Sequence, residues 1–418
     1  MPDVATRGAL LALTPFLWTL AEDSGMPSVY RTLTGLDANG FDVHVVLPER
    51  RGGGAREYRG LKLHTFDVPT FGLRGEFGPT RSPLLLETPD GRAAGLRWKA
   101  FLAAMLAGAV RCGLEVAREV RPVLLYGILP TGALAAGGVA LRTRVPNVTR
   151  LLGTHLASVR GLALTGHAWE VAAFKLPARL LIVTDDGTLG DEVARRLRVP
   201  DARLRFLMNG VDERFRDREG LASASQVKES LDLDPQVPLF LFAHHLLPSH
   251  HVLTLVRAVQ LLTRDGHTVA AVVAGDGPER ADLVEAVRAA RLERRIVILG
   301  NVTRERIREL MGAAVAVVSL DDLSNLVNSV LEALAFGIPV IATASGGSTR
   351  LLSDLENALV LPGAEARALA AAMWRLAEDK DLAVRLRNGA TVTAQTRIRS
   401  WSDRIADEAQ MLQEVASA

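Results

Sequence analysis

From about residue 239 onward, short apolar runs alternate with amphipathic stretches. Leu239–His244 (LFLFAH) reads as a buried strand. His251–Leu262 reads as a helix, with Val252, Leu255, Val256, Val259 and Leu262 recurring at three- and four-residue spacing. Strand Thr268–Ala274, helix Glu279–Arg291, strand Ile296–Leu299 and helix Arg304–Met311 follow. Next come strand Ala314–Val318, helix Val327–Phe336, strand Pro339–Ala342, a helix near Ser348–Ser353 and an almost wholly helical tail from Glu365. Strands that are short, β-branched and apolar on both faces predict a parallel sheet covered by helices on both sides. Right-handed crossovers then close it as a doubly wound, Rossmann-like domain.

The first half repeats the pattern less regularly. Ala9–Leu13, Asp42–Leu47, Leu61–Phe66, Val123–Leu125, Val148–Leu152 and Arg179–Val183 read as strands, and Arg205–Asn209 leads out of this half. The Gly-, Pro- and Arg-rich stretch from about Val68 to Gly95 reads as a long loop. Asp, Ser and Pro accumulate over 208–236, which sets the expected boundary. The expected organisation is therefore a first Rossmann-like domain over 1–207, a second over 208–395, and a terminal helix over 396–418.

Composition narrows the function classes. The 418 residues carry a net charge of +2, which gives no electrostatic footprint for nucleic acid. Cys112 is the one cysteine, so no intrachain disulfide and no cysteine-based metal site is expected, in keeping with a reducing, cytoplasmic compartment. The apolar stretch Gly8–Ala21 is interrupted by Pro15, and no small-residue cleavage site follows it, so a secretory leader is not expected. No unbroken run of 18 apolar residues predicts a spanning helix. Arg92–Arg121 reads as a helix with Trp98, Phe101, Leu102, Met105 and Leu106 beside basic residues. A core-facing helix is one reading; peripheral contact with the inner face of a membrane is the other.

Four segments carry candidate chemistry. Gly275-Asp276-Gly277-Pro278-Glu279 joins a strand to a helix, either as a plain turn or as a place where backbone approaches a ligand. It is not the dinucleotide fingerprint. Ser324-Asn325-Leu326-Val327-Asn328-Ser329 precedes a helix, with Ser324 or Asn325 placed to cap it. The unpaired N–H groups and positive dipole end of such a helix suit a diphosphate. Glu332 lies one turn below Asn328 and could accept bonds from ribose hydroxyls. Asn209-Gly210-Val211-Asp212 reads as a turn. Among the nine histidines, His244, His245, His250 and His251 cluster at a strand end and helix start. Phosphate contact, zinc and incidental placement all remain open, but with no cysteine and no carboxylate set nearby in sequence a metal is not expected. Asp185-Asp186 and Asp321-Asp322 read as loop or cap residues rather than metal ligands.

Together these segments resemble glycosyltransferase family 4, the retaining enzymes of GT-B fold. The order NGVD at 209–212, strand and loop at 241–252, GDGPE at 275–279, LG at 299–300 and SNLVNSVLEALAFGIPVIAT at 324–343 carries the likeness. In the first half it continues in GMPS at 25–28, NGFDVHVV at 39–46 and PNVTRLLGT at 146–154, so that it covers about residues 9–390. The resemblance implies an α/β protein of GT-B fold, with two Rossmann-like doubly wound parallel-sheet domains facing a central cleft. It implies a retaining, metal-independent transfer from a nucleotide-diphosphate sugar to a hydroxyl of a glycan, lipid or small molecule, with no cofactor. Oligomeric state is not implied. By the same resemblance Glu332 would bind ribose. Asn325, Leu326, Val327 and Asn328, with the Gly25 loop, would meet the diphosphate through their backbone. Asn301 and Val302 would lie near the base, and Asn209, Gly275, Asp276 and Gly277 on the donor side.

The chain departs from the family in four places. His245 and His250 stand where the family has Arg and Lys, cations that neutralise the leaving diphosphate. Ser324 stands where it has a Glu facing the donor sugar. Leu152 replaces its first-domain histidine, with His155 the nearest substitute as a catalytic residue. Arg350 stands where Glu is usual. These departures keep a second reading in play, a nucleotide- or sugar-binding protein without turnover.

Overall fold

The structure, a computed structural model, describes residues 7–14, 27–48, 57–68 and 92–418, with the side chains of 92–98 left out. The chain divides into two compact units, one ending near Met208 and rejoined by Ser402–Ala418, the other formed by Asn209–Trp401 with Asp186–Thr188.

In the first unit, β1 (Gly8–Leu13), α1 (Pro27–Ala38), β2 (Phe41–Pro48), β3 (Glu57–Tyr58), β4 (Leu61–Phe66) and α2 (Arg92–Val120) come first. They are followed by β5 (Leu124–Ile128), α3 (Leu129–Thr143), β6 (Asn147–Leu151), α4 (Ala168–Lys175), β7 (Leu180–Asp185), α5 (Gly190–Arg196) and β8 (Leu204–Met208). The eight strands are ordered β3-β4-β2-β1-β5-β6-β7-β8, and only β3 is antiparallel to its neighbour. The all-apolar runs are the ones buried on both faces: Leu10, Leu11, Leu13, Leu124, Leu125, Leu181, Ile182 and Val183 are fully inside.

α2 is longer and more apolar than the absence of an 18-residue apolar run led one to expect. Lys99–Val120 is long and apolar enough to cross a membrane by length and composition. Its Met105, Ala109, Cys112, Val116 and Ala117 nevertheless pack on Leu11, Leu13, Val46 and Leu125, as a core-facing helix does. Burial, together with the nearby Glu115, pushes the Cys112 thiol up to about 11. The long loop expected from Val68 falls on residues 69–91, which lie outside those described.

The second unit runs α6 (Ala224–Glu229), β9 (Leu239–Ala243), α7 (Val252–Arg264), β10 (Ala270–Ala274), α8 (Arg280–Ala289), β11 (Ile296–Gly300), α9 (Arg304–Ala313) and β12 (Ala316–Ser319). Then come α10 (Asn328–Phe336), β13 (Val340–Thr343), β14 (Ala358–Leu361), α11 (Ala366–Glu378) and α12 (Lys380–Arg397). Its six strands, all parallel, are ordered β11-β10-β9-β12-β13-β14. The strand order therefore reverses between β9 and β12, the switch point at which doubly wound sheets open a ligand crevice at their carboxyl ends. Two expectations need correcting. The segment at Ser348–Ser353 is a single 3₁₀ turn, Ser348–Arg350, followed by the unforeseen β14. And α10 is capped by neither Ser324 nor Asn325: its N-cap is Val327, without a side-chain cap, because both polar side chains are engaged elsewhere.

The last helix, α13 (Trp401–Ser417), returns to the first unit from Ser402 on. It brings Glu408, fully buried, against Tyr126 of β5 and Arg150 of β6, while Arg404 pairs with Glu408 and donates to Thr32 of α1. Burial alone would raise the Glu408 pKa, but the Arg404 and Arg150 guanidiniums outweigh it and hold the carboxyl below its usual range.

Candidate functional site

The carboxyl ends of β9, β10 and β11 are stitched by backbone. His244 N donates to Ala274 O at 3.1 Å, Leu246 N to Asp276 O at 3.1 Å, and Gly275 N to Gly300 O at 2.8 Å. This explains both glycines of the GDGPE turn. Gly275 has φ +150°, and a Cβ there would stand 1.9 Å from His244 O; a Cβ on Gly277 would stand 2.4 Å from Leu246 O. The close approach they permit is to the chain's own β9–α7 loop, so the turn has a structural role before any ligand is considered. Asp276 Oδ1 accepts from Gly277 N at 2.9 Å.

The segment leading into α10 is held by Asn325, which is fully buried. Its Oδ1 accepts from Ser319 Oγ at 2.6 Å and from Asp321 N at 3.1 Å. Its Nδ2 points at Thr343 O and Oγ1 at 2.8 and 2.7 Å and at Ser345 Oγ at 2.8 Å. Ser324 Oγ donates to Asp186 O and accepts from Leu326 N at 3.1 Å. Asn325 N is taken by Ser348 Oγ at 2.7 Å. Of the backbone groups expected to meet a diphosphate, those of Asn325 and Leu326 are thus already used. The N–H groups of Val327, Asn328 and Ser329, half-buried, have no hydrogen-bond acceptor among the described residues. They form the electropositive end of α10. Asn328 Oδ1 accepts from Asn209 Nδ2 at 3.0 Å, and Asn209 Oδ1 is buried without a partner beside it.

One turn on, Glu332 is buried and paired through Oε1 with Arg304 of α9, whose guanidinium lies 5.2 Å over the Phe215 ring. Arg304 was not singled out in the sequence. Its only signal there is its place just after Thr303, which caps α9 through a 3.2 Å bond from Arg306 N.

The histidines separate. His245 is exposed, with Nδ1 3.3 Å from Asp276 O. His250 is buried: Nδ1 faces His245 O at 2.7 Å and Nε2 faces Asp321 Oδ2 at 3.0 Å. Both its ring nitrogens therefore have partners within the chain. His244 lies edge-on to it, ring centroids 3.7 Å apart, with Nε2 4.0 Å from Asp321 Oδ2. Burial, then the neighbouring His250, depresses the His244 pKa to about 3. Burial would raise Asp321, but the His250 hydrogen bond and the two imidazoles hold it below the usual range. The carboxylate missing near the histidines in sequence arrives from the end of β12. One ligand atom each of His244, His250 and Asp321 lie within 4.8 Å of one another. Asp321 also fills its expected loop role, Oδ1 accepting from Leu323 N at 2.7 Å.

Asn301 is exposed and Val302 half-buried just past β11. Gly25 lies outside the described residues. His155, half-buried after β6 in the first unit, donates its backbone N to Glu170 Oε1 at 3.1 Å.

Comparison with known proteins bears on the family and the fold. Residues 224–393 match the family model for glycosyl transferases group 1. The chain is 28% identical over 221 residues to an alpha-D-kanosaminyltransferase of Streptomyces kanamyceticus, covering 53% of this chain and 56% of that protein. It is 29% identical over 264 residues to a D-inositol 3-phosphate glycosyltransferase of Nocardia farcinica, 59% and 57% of the two chains. The chain thus spans little more than half the length of these curated relatives. Among solved structures, a glycosyltransferase from Rickettsia africae superposes with TM-score 0.73 at 14% identity over 98% of both chains. Anabaena HepE, solved in complex with UDP-glucose, gives 0.72 at 17% over 98% of this chain and 100% of that one.

The fold is GT-B.

Within this GT-B chain the family match covers most of the second unit, including Asn325, Glu332 and Arg304, while Asp186, Asn209 and Phe215 lie outside it.

Proposed function

We propose that the chain is a retaining glycosyltransferase of family 4, moving a sugar from a nucleotide-diphosphate donor to a hydroxyl acceptor that is a glycan, lipid or small molecule. The observation that carries this reading is the start of α10: three N–H groups of Val327, Asn328 and Ser329 at one helix end, with the Glu332 carboxylate one turn on. That pair of features suits a diphosphate and a ribose joined to it. The group 1 match and the glycosyl-transferring relatives support the same reading. In the retaining transfer the acceptor hydroxyl attacks the face the diphosphate leaves, and a diphosphate oxygen takes its proton.

A second reading, a nucleotide-binding protein without turnover, is favoured by Ser324, whose hydroxyl is spent on Asp186 O rather than facing a sugar. Thermal stabilisation by UDP, GDP, ADP, TDP and their sugars separates the readings from a chain that binds none. A ligand at about 100 times its Kd adds about 2.7 kcal/mol. The transferase reading expects one base to stabilise, and the matching sugar donor to be consumed once a suitable acceptor is added. Stabilisation without consumption across an acceptor panel supports the second reading, and no stabilisation by any nucleotide sinks both.

A further inference from the structure

We propose that His244, His250 and Asp321 form a site for a divalent transition cation of the zinc class at the switch point of the second sheet. The resemblance to metal-independent transferases contains no such site, and the inference rests on this chain's own side chains. Two imidazoles and a carboxylate are a donor set that suits zinc and not magnesium or calcium, which take oxygen alone. In a tetrahedral zinc site, ligand atoms at about 2.0–2.2 Å from the metal stand about 3.3–3.5 Å from one another. The pairs measured here, 3.0 Å for His250 Nε2 to Asp321 Oδ2 and 4.0 Å for His244 Nε2 to the same oxygen, bracket that spacing.

The surroundings are those of a held site. His250 Nδ1 is fixed by His245 O at 2.7 Å, which turns Nε2 inward, the usual way a backbone carbonyl orients a ligating imidazole. Asp321 Oδ1 is fixed by Leu323 N and Ser324 N at 2.7 and 3.2 Å, which leaves Oδ2 for the shared point. A carboxylate oxygen and an imidazole nitrogen 3.0 Å apart need a positive particle between them. A proton would serve His250 alone. It leaves His244 Nε2 aimed at the same carboxylate oxygen from 4.0 Å, beyond hydrogen-bond reach. A cation gives all three side chains one purpose, and ties the β9–α7 loop to the β12–α10 loop. Three protein ligands leave a fourth position for water or an anionic oxygen. That the anion is the donor's diphosphate, whose charge Arg and Lys would otherwise meet, rests on the function proposed above.

The test uses the whole chain, stripped with a chelator and titrated with Zn²⁺ alone, without nucleotide. One equivalent is expected to bind. His244→Ala and Asp321→Asn should each weaken binding by at least about 10–100-fold. His64→Ala, in the separate His44–His64 pair of the first unit, should leave it unchanged. Zinc-edge X-ray absorption of the loaded wild-type protein should show two imidazoles and a carboxylate with no sulfur, a readout that stands even if a variant fails to fold. No stoichiometric zinc, zinc binding indifferent to His244→Ala in a folded variant, or a shell with sulfur or fewer than two imidazoles overturns the proposal. A chain that binds zinc but no nucleotide sinks the transferase reading and leaves this one standing.

Discussion

Asn325 is a residue whose chemistry is easily misassigned. In a segment poised to meet a ligand, an asparagine invites a ligand role, yet its amide spends both ends on Ser319, Asp321, Thr343 and Ser345. Asn325→Ala leaves several buried groups unsatisfied, so unfolding in urea should show a loss of about 3–5 kcal/mol. Glu332 is the opposite case. It is buried and ion-paired with Arg304, yet an ionised carboxylate can accept several hydrogen bonds at once. Glu332→Gln should raise the donor KM about tenfold or more while kcat changes less, since a charge-assisted bond is worth about 1.5–3 kcal/mol. Equal losses in KM and kcat, or none, would remove Glu332 from ribose recognition.

At the level of elements, the start of α10 can be tested by itself. Asn328 is the first helical residue after the N-cap Val327, a position that tolerates proline because its N–H is unpaired within the helix. Asn328→Pro removes one of three N–H groups and the 3.0 Å bond from Asn209. The variant should melt close to wild type and bind nucleoside diphosphate about tenfold more weakly by calorimetry. An unchanged affinity would place the phosphates elsewhere. This helix was legible in the sequence because its evidence is local: an apolar periodicity broken by a polar run. The second sheet was legible for the same reason, since Val, Ile and Leu runs state their burial without knowing their neighbours. What brings Asp321 to His250, or Arg304 to Glu332, is not local. Seventy-one residues separate the first pair, and neither sequence neighbourhood contains the partner's charge. The capping role given to Ser324 and Asn325 failed in the same way, because their partners, Asp186 and Thr343, are distant in sequence.

On the scale of the whole molecule, Tyr126, Arg150, Arg404 and Glu408 form a fully enclosed charged cluster in the first unit. Arg404 and Glu408 stand four residues apart on one helix, a spacing worth about a few tenths of a kcal/mol on a solvated surface. Enclosed, they behave differently: Glu408→Gln strands two guanidiniums inside and should cost about 3–5 kcal/mol. The pH dependence has a definite sign. Because the folded pKa of Glu408 is depressed, the unfolded chain takes up the proton first on acidification. Its contribution is complete above the ordinary value of 4.5 and drains away as pH falls through the lower folded value. Denaturant melts at pH 7 and pH 3.5 should therefore converge for wild type and Glu408→Gln at the acid end, and an equal gap at both pH values would show that the carboxylate's charge is not what is lost.

The same helix sets a timetable for manufacture. A ribosome delivers Tyr126 and Arg150 first, and Arg404 and Glu408 only after the whole of Asn209–Trp401 has been made in between. At about 5–20 residues per second that is an interval of roughly 10–40 s. Throughout it the newborn first unit holds an unmatched guanidinium and an open seam, so a transcript cut short before Ser402 yields a client for chaperones rather than a smaller working protein.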